Sequence, residues 1–471
     1  HTRYIGDWSS DVCSSDLDGS QWVDLSHLVF LDPNFRQTPI IGKLSFEVLR
    51  RLKKENEVII DLPAEVHQSF LKYGLAEEIQ DKGYDKSRFF QELFFPNIAS
   101  IARDLREKLV LYTLDDKNGE FDSLIKKYAC IPASPDGQNL KCPAQLINPH
   151  KGAALLFSPD DKRFPFGTED TFLNGVRLVK LEQLGMLTDS LTWEEVVERA
   201  ESITVLNRFS STSALKRAEA LMAYLKRKLI YEKENSVPDD VRNNLKKASF
   251  LPVLQKPEKF PLPWKGDELR SVTAGNFVSP VESYLESEKY LVCCSEPIVD
   301  MCIPASVKTF LDFEKRQATA VHVQRQLEAA SIVNIDVLDS PELDRVEELC
   351  LEAYRYFQRS LNNKTIHEKE VREIFEGKKI IFFGRNFFHT KQLAFRLETD
   401  CSPYIHQLPH HLARSFKELM KIAGVKAVFD AEDYVTGLTQ LKEAFGEEKL
   451  DQEGLRLAVN LALQLGNSSK H

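Results

Sequence analysis

The stretch "YACIPASPDGQNLKCPAQLINP", residues 128–149, limits what this chain can fold into. Its apolar run stops at Pro132. Ser134-Pro135-Asp136-Gly137 is a turn by its chemistry, since proline fixes one dihedral and glycine permits a positive φ. Leu140 to Pro143 can return only as a short edge strand, because proline donates no ladder hydrogen bond. Asn148-Pro149 closes the element. A second stretch of the same kind, "KASFLPVLQKPEKFPLPWKGDEL", follows at residues 247–269. The remaining sequence is dominated by helical patterns. The expectation is an α+β chain, helix-rich with short strands, in several compact subdomains of an elongated modular fragment.

Helices are legible from their caps and apolar spacing. Val58-Ile59-Ile60 reads as a buried strand. Pro63 then opens a helix with Val66, Phe70 and Tyr73 on one face and Gly74 as its stop. "SRFFQELFFPNIASIARDLREKLVLYTL" reads as a helix, a proline break and a second helix through Leu109. "FDSLIKKY" is helical. Thr192-Trp193-Glu194-Glu195 is a capping box, and Val196, Val197, Ala200 and Ile203 form the apolar face behind it. A basic helix from Ser213 sets its Arg and Lys residues mostly opposite Leu221, Leu225 and Leu229, a solvated face. "ENSVPDDVRNN" reads as a linker. "PELDRVEELCLEAYRYFQRSL" is the longest helical pattern, Ile380–Phe383 a strand, and "LPHHLARSFKELMKIAGV" a helix with Gly424 as its stop. Two last helices start from Asp430 and Asp451.

The first seventeen residues, "HTRYIGDWSSDVCSSDL", belong to none of this. They lack the apolar centre of a secretory signal and are too acidic for a transit peptide. Asp7 to Leu17 reads back into the nucleotides of a short-read library adapter. Residues 1–17 are therefore expected to be translated adapter, unstructured, with the natural start missing. The C-terminal "GNSSKH" is expected to be a cut end.

The net charge is −9. Removing Arg3, Asp7, Asp11 and Asp16, which sum to −2, leaves −7. An acidic surface argues against a general nucleic-acid binder. No apolar run approaches the ~18 residues that span a bilayer. Outside the adapter the cysteines are 130, 142, 293, 294, 302, 350 and 401, an odd set without a CxxC. They read as reduced core thiols of a cytosolic or nuclear protein.

Leu62-Pro63-Ala-Glu-Val66-His-Gln-Ser69-Phe70 aligns without gaps on Leu408-Pro409-His-His-Leu412-Ala-Arg-Ser415-Phe416. The two copies lie 346 residues apart and end in Gly74-Leu75 and Gly424-Val425. The spacing is far longer than a solenoid unit. It suggests that the chain starts near the end of one large unit and runs to the end of the next.

Four stretches carry a resemblance: "FFQELFFPNI", "CIPASPDGQNLKCPAQLINPHKGAALLFSPDDKRFPFG", "LVKLEQLGMLTDSLTWEEVVERA" and "YIHQLPHHLARSFKELMKIAGVKAVFDAEDYVTGLTQL". Across most of residues 18–465 the chain resembles the sacsin family, very large cytoplasmic co-chaperones built from long internal repeats. The resemblance implies residues 18–125 as the end of one repeat unit. Residues 126–235 become the next repeat segment, and 236–471 a C-terminal helix-rich one. It also implies a cytoplasmic location, Hsp70-type chaperones and cytoskeletal clients as partners, and neither nucleic-acid contact nor membrane insertion.

The family's Hsp90-like ATP site needs a DxGxG adenine loop, a Gly-rich lid and a helix with paired Glu and Asn. Asp136-Gly137-Gln-Asn and Asp267-Glu268 lack the second glycine, and Asn243-Asn244 comes without the loop. There is no His-Pro-Asp of a J-domain and no GxxxxGK[ST], GxGxxG, GxSxG or HExxH. No catalytic, cofactor-binding or metal residue is therefore assigned, and no cofactor.

His406, His410 and His411 lack a neighbouring ligand set, and Cys293, Cys294 and Cys302 have His322 as their closest histidine. Asp160-Asp161 and Glu432-Asp433 read as a loop pair and a helix start. "KRFPFG" reads as packing, and Trp193 and Trp264 as anchors. The expectation is a non-catalytic scaffold segment of a sacsin-like co-chaperone, not an enzyme. The alternatives are a degenerate Hsp90-like nucleotide-binding or other enzyme domain, and a stand-alone adaptor.

Overall fold

The structure is a computed structural model, and it describes residues 27–73, 79–232, 237–263 and 276–468. The expected adapter stretch, the stop at Gly74-Leu75, Trp264 and Asp267-Glu268 lie outside the described residues, as do residues 234–236 of the expected linker. The chain divides into two compact units between Thr192 and Trp193. The class is α+β, helix-rich, with short strands in small sheets. Helices of six or more α-helical residues are numbered below.

In the first unit, β1 (Leu28–Leu31) is the middle strand of a parallel three-stranded sheet between β2 (Val58–Ile60) and β3 (Gly83–Tyr84). Its side chains alternate between two cores, as a strand covered on both faces requires. Leu28 and Phe30 meet Ile60, Leu62 and Ile79. Val29 and Leu31 join Val48 and Leu49 of α1 (Ile41–Leu52) in the larger core. The helix after β2, α2 (Ala64–Lys72), buries no residue. Val66 and Tyr73 of its expected inner face are exposed, and only Phe70 packs inward.

The "FFQELFF" stretch is a π-helix over Phe89–Phe94 in place of the expected α-helix. The cause is its spacing. Phe89, Phe90, Phe94 and Phe95 are all fully buried, so residues five apart must share a face. An α-helix sets such pairs about 140° apart, whereas an i→i+5 ladder brings them together. Phe95 N–H donates to the Phe90 carbonyl at 3.2 Å, and the Phe89 and Phe94 rings stack at 6.2 Å. The next helix, α3 (Arg103–Leu114), runs a turn beyond the expected Leu109.

After α4 (Asp122–Lys127) comes the proline-bounded hairpin. Here β4 (Ile131–Pro132) pairs antiparallel with β5 (Leu140–Lys141). The Ala133 amide donates to the Asn139 carbonyl at 2.7 Å, Phe166 to Pro132 at 2.7 Å and Ile147 to Arg163 at 2.7 Å. The unit's helices end with α5 (Gly175–Gln183), whose Leu178 and Leu181 enter the larger core.

The second unit opens with α6 (Trp193–Asn207) packed on α7 (Ser211–Tyr231). All four residues of the expected apolar face of α6 are buried. On α7 the solvated basic face is incomplete, because Arg217 and Lys228 are buried with Leu221 and Leu225. The Lys228 ammonium donates to Glu232 at 2.7 Å and lies 4.8 Å from the Trp193 ring centre. A paired carboxylate and an aromatic face make the burial of that cation tolerable. The second half of the expected linker is also structured, as α8 (Asp239–Lys247), with Val241 and Leu245 buried.

The hairpin of the first unit recurs here in the same register. β6 (Leu251–Pro252) pairs antiparallel with β7 (Phe277–Val278). The Val253 amide donates to Asn276 at 3.0 Å, Asp300 to Pro252 at 2.8 Å and Tyr284 to Pro297 at 2.9 Å. In both copies a 3₁₀ turn begins with a proline, Pro143 or Pro280. After α9 (Ala305–Phe310) and α10 (Ala320–Ser331) comes α11 (Ser340–Asn362). Val346, Leu349, Cys350, Ala353, Tyr354 and Phe357 make its buried stripe at helical spacing. That stripe covers the β8 (Lys379–Phe383) and β9 (Asn386–His389) hairpin, behind α12 (Glu368–Phe375).

The Leu-Pro repeat also has a structural counterpart. β10 (Leu393–Ala394) pairs in parallel with β11 (His406–Gln407), and Ala394 bridges in parallel to Lys426. Pro63 and Pro409 each sit at a helix N-cap, before α2 and α13 (His410–Ser415). The Asp32 amide donates to Tyr84 at 2.8 Å, and the Phe395 amide to Lys426 at 2.9 Å. Beyond α14 (Lys417–Ile422), Gly424 stops the helix at φ +101°. Finally α15 (Ala431–Phe445) and α16 (Gln452–Ser468) enclose a smaller core with Cys401 and Ile405.

Candidate functional site

The Asp136-Gly137 turn is the element closest in sequence to a nucleotide loop, and its polar groups hold the turn together. The Ser134 hydroxyl donates to the Asp136 carboxylate at 2.5 Å, and the Gln138 amide donates to it at 3.0 Å. These two bonds pull the carboxyl below its usual range. Gly137 sits at φ +68°, which a side chain rarely adopts. From α3, Arg103 donates to the Pro135 carbonyl at 2.7 Å and Arg106 to the Gly137 carbonyl. Asn243 and Asn244 stand exposed on α8. The structure does not bring them to a loop of the DxGxG kind among the described residues.

The histidines separate. His406 lies in β11, where its ring nitrogens meet Ser402 Oγ at 3.1 Å and the Pro403 carbonyl at 2.9 Å. Burial pushes its pKa down. His410 and His411 follow on α13 and are exposed.

The cysteine cluster likewise breaks up. Cys293 is buried and accepts the Gln326 side-chain amide at 2.9 Å, Cys294 is pushed up to about 11 by burial, and Cys302 is exposed. His322 faces Glu296 at 3.5 Å instead. Among the described residues no group of three or more His, Cys, Asp or Glu could hold a metal ion.

One carboxylate of each pair closes a capping box. Asp161 accepts the Ser158 amide at 2.7 Å, and Asp433 accepts the Asp430 amide at 2.9 Å. In "KRFPFG", Arg163 lies over the Phe157 ring at 5.4 Å and donates to the Gln145 carbonyl. Trp193 is buried, and its indole N–H donates to Glu232 at 2.8 Å.

Two clefts stand out. One, of about 540 Å³, lies in the first unit by the carboxyl ends of β1 and β3. Asp32, Asp85 and Arg88 line it, but Asp32 caps the Asn34 amide, Asp85 caps the Arg88 amide, and Arg88 bonds Glu92 at 2.8 Å. The second, of about 530 Å³, lies in the second unit between α11 and α13. Arg355, Arg359, His411 and Ser415 line it above Leu351 and Phe416. Sequence reasoning missed this cleft. Its one local trace is the Arg355/Arg359 pair, one helical turn apart.

No protein-family profile matches the chain. No solved structure matches it either. A curated relative does: Sacsin of Homo sapiens is 28% identical over 453 residues, which is 93% of this chain and 10% of that protein. The chain thus spans about a tenth of the length of the relative it matches. No described helix is long and apolar enough to cross a membrane. The resemblance first carried by the proline-bounded hairpin and the Leu-Pro helix thus extends over nearly the whole chain, which is similar to an internal stretch of Sacsin.

Proposed function

We propose that this chain is a non-catalytic scaffold and interaction segment of a sacsin-like co-chaperone. It acts in protein-folding quality control and in the organisation of intermediate filaments. The similarity to Sacsin over 93% of the chain supports the family side of this reading. The non-catalytic side rests on the Asp136-Gly137 turn, whose carbonyls are bound by Arg103 and Arg106 of its own unit. A degenerate Hsp90-like nucleotide site is not favoured. The location is cytoplasmic, and the partners are Hsp70-type chaperones and cytoskeletal clients. The physical role is to space neighbouring modules and present surface to those partners.

The test is co-sedimentation of the purified chain with assembled intermediate filaments, beside capture of purified Hsp70 on the immobilised chain. Retention by either partner, reversed by excess unlabelled chain, is the expected result. Retention by neither would overturn the interaction role.

A further inference from the structure

The cleft between α11 and α13 holds donors that the fold uses only in part. Arg355 is neutralised, with bonds to Glu348 at 2.9 Å and Glu352 at 2.6 Å. Arg359 is not. Its Nε donates to the Arg355 carbonyl at 3.2 Å, and its Nη2 lies 3.8 Å from Glu352, a carboxylate that Arg355 already holds. His411 and Ser415 line the same cleft from the facing helix. Among the described residues, neither the imidazole nor the hydroxyl has a protein partner. Gln358 of α11 accepts the Leu419 amide of α14 at 3.2 Å, which fixes α11 against the helix that follows α13.

We propose that this cleft binds a phosphate monoester carried on a peptide, with Arg359, His411 and Ser415 as the contact residues. A guanidinium, an imidazole and a hydroxyl from two helices suit the three terminal oxygens of a phosphate better than the two of a carboxylate. The volume of about 530 Å³ exceeds what the phosphate group needs. It falls in the ~300–1,000 Å³ range of sites that enclose larger ligands. Leu351 and Phe416 supply apolar lining for the flanking peptide. Among the described residues Glu352 is the one carboxylate that lines the cleft, and it is shared between both arginines. The assignment is independent of the scaffold reading, since such a site could serve an enzyme or a binding segment alike.

The test uses fluorescence anisotropy on the full chain. The probe is a fluorescein-labelled degenerate peptide library with one fixed phosphoserine. Matching libraries carry serine or glutamate at that position. Saturable binding of the phosphoserine library is expected, with the serine and glutamate libraries at least tenfold weaker. Arg359→Gln should weaken it about tenfold, the loss of one charge-assisted bond, and His411→Gln and Ser415→Ala by smaller factors. Arg372→Gln on the exposed face of α12 should leave binding unchanged. Circular dichroism and thermal melting establish that each variant is folded.

Absence of saturable binding would overturn the proposal, as would equal binding of the serine library or wild-type affinity in Arg359→Gln. Equal binding of the glutamate library would overturn the choice of phosphate. Displacement by inorganic phosphate at the library's own concentration would overturn the choice of a peptide ligand.

Discussion

The guanidinium of Arg106 donates to the carbonyl of Gly137, 31 residues further along the chain, while only 3% exposed. A helix thereby holds the tip of a hairpin turn through a buried cation. Burial pulls the Arg106 pKa down, and among the described residues no carboxylate bonds the side chain; its second contact is the Ile101 carbonyl at 3.5 Å. Removing it strands two buried carbonyls. Arg106→Ala is expected to cost about 2–4 kcal/mol, read as a lower urea midpoint. An unchanged midpoint would remove the structural role of this contact.

Tyr354 makes a similar stitch in the second unit. Its hydroxyl donates to the Ile380 carbonyl at 2.8 Å and accepts the Phe382 amide at 2.9 Å, all of it buried. Tyr354→Phe keeps the ring and deletes both bonds. The expected loss is about 1–3 kcal/mol, with faster amide exchange at Phe382.

Thiol labelling should follow burial. Cys130, Cys293 and Cys350 are fully buried, and burial pushes all three thiols up. Cys302 is exposed. A maleimide at neutral pH is expected to modify Cys302 about a hundredfold faster or more than those three, which wait for local opening. Peptide mapping by mass spectrometry at timed intervals reads the order.

Lys426 donates to Asp430 at 2.8 Å and holds its carboxyl below the usual range. A depressed folded pKa contributes stability above the ordinary carboxylate value, and loses it as the pH falls through the depressed one. Asp430→Asn should therefore flatten the decline of stability below about pH 4. Urea midpoints collected across the acid range check this. An unchanged acid limb would contradict the assignment.

The short strands and the repeats were legible because proline and glycine impose local geometry. Pro132 and Pro252 end their strands in the same way, and Pro63 and Pro409 open helices after parallel strands. Other features depend on what a side chain meets once the chain is folded. Four buried phenylalanines spaced by five turn an apparent α-helix into a π-helix, which no helical periodicity announces. Lys228 reads as solvated by type and is buried by Glu232 and the Trp193 ring.

The α2 face failed for the opposite reason. Val66 and Tyr73 have the right spacing but no core to meet. Arg359 and His411 line one cleft only because α11 and α13 share a core. Their separation in sequence conceals the pair.

The central proposal is that this chain binds no nucleotide. A titration of the full 471-residue chain with a fluorescent ATP analogue tests it most directly. The account predicts no saturable signal up to millimolar nucleotide, with or without magnesium. Saturable binding in the micromolar range, displaced by unlabelled ATP, would contradict it.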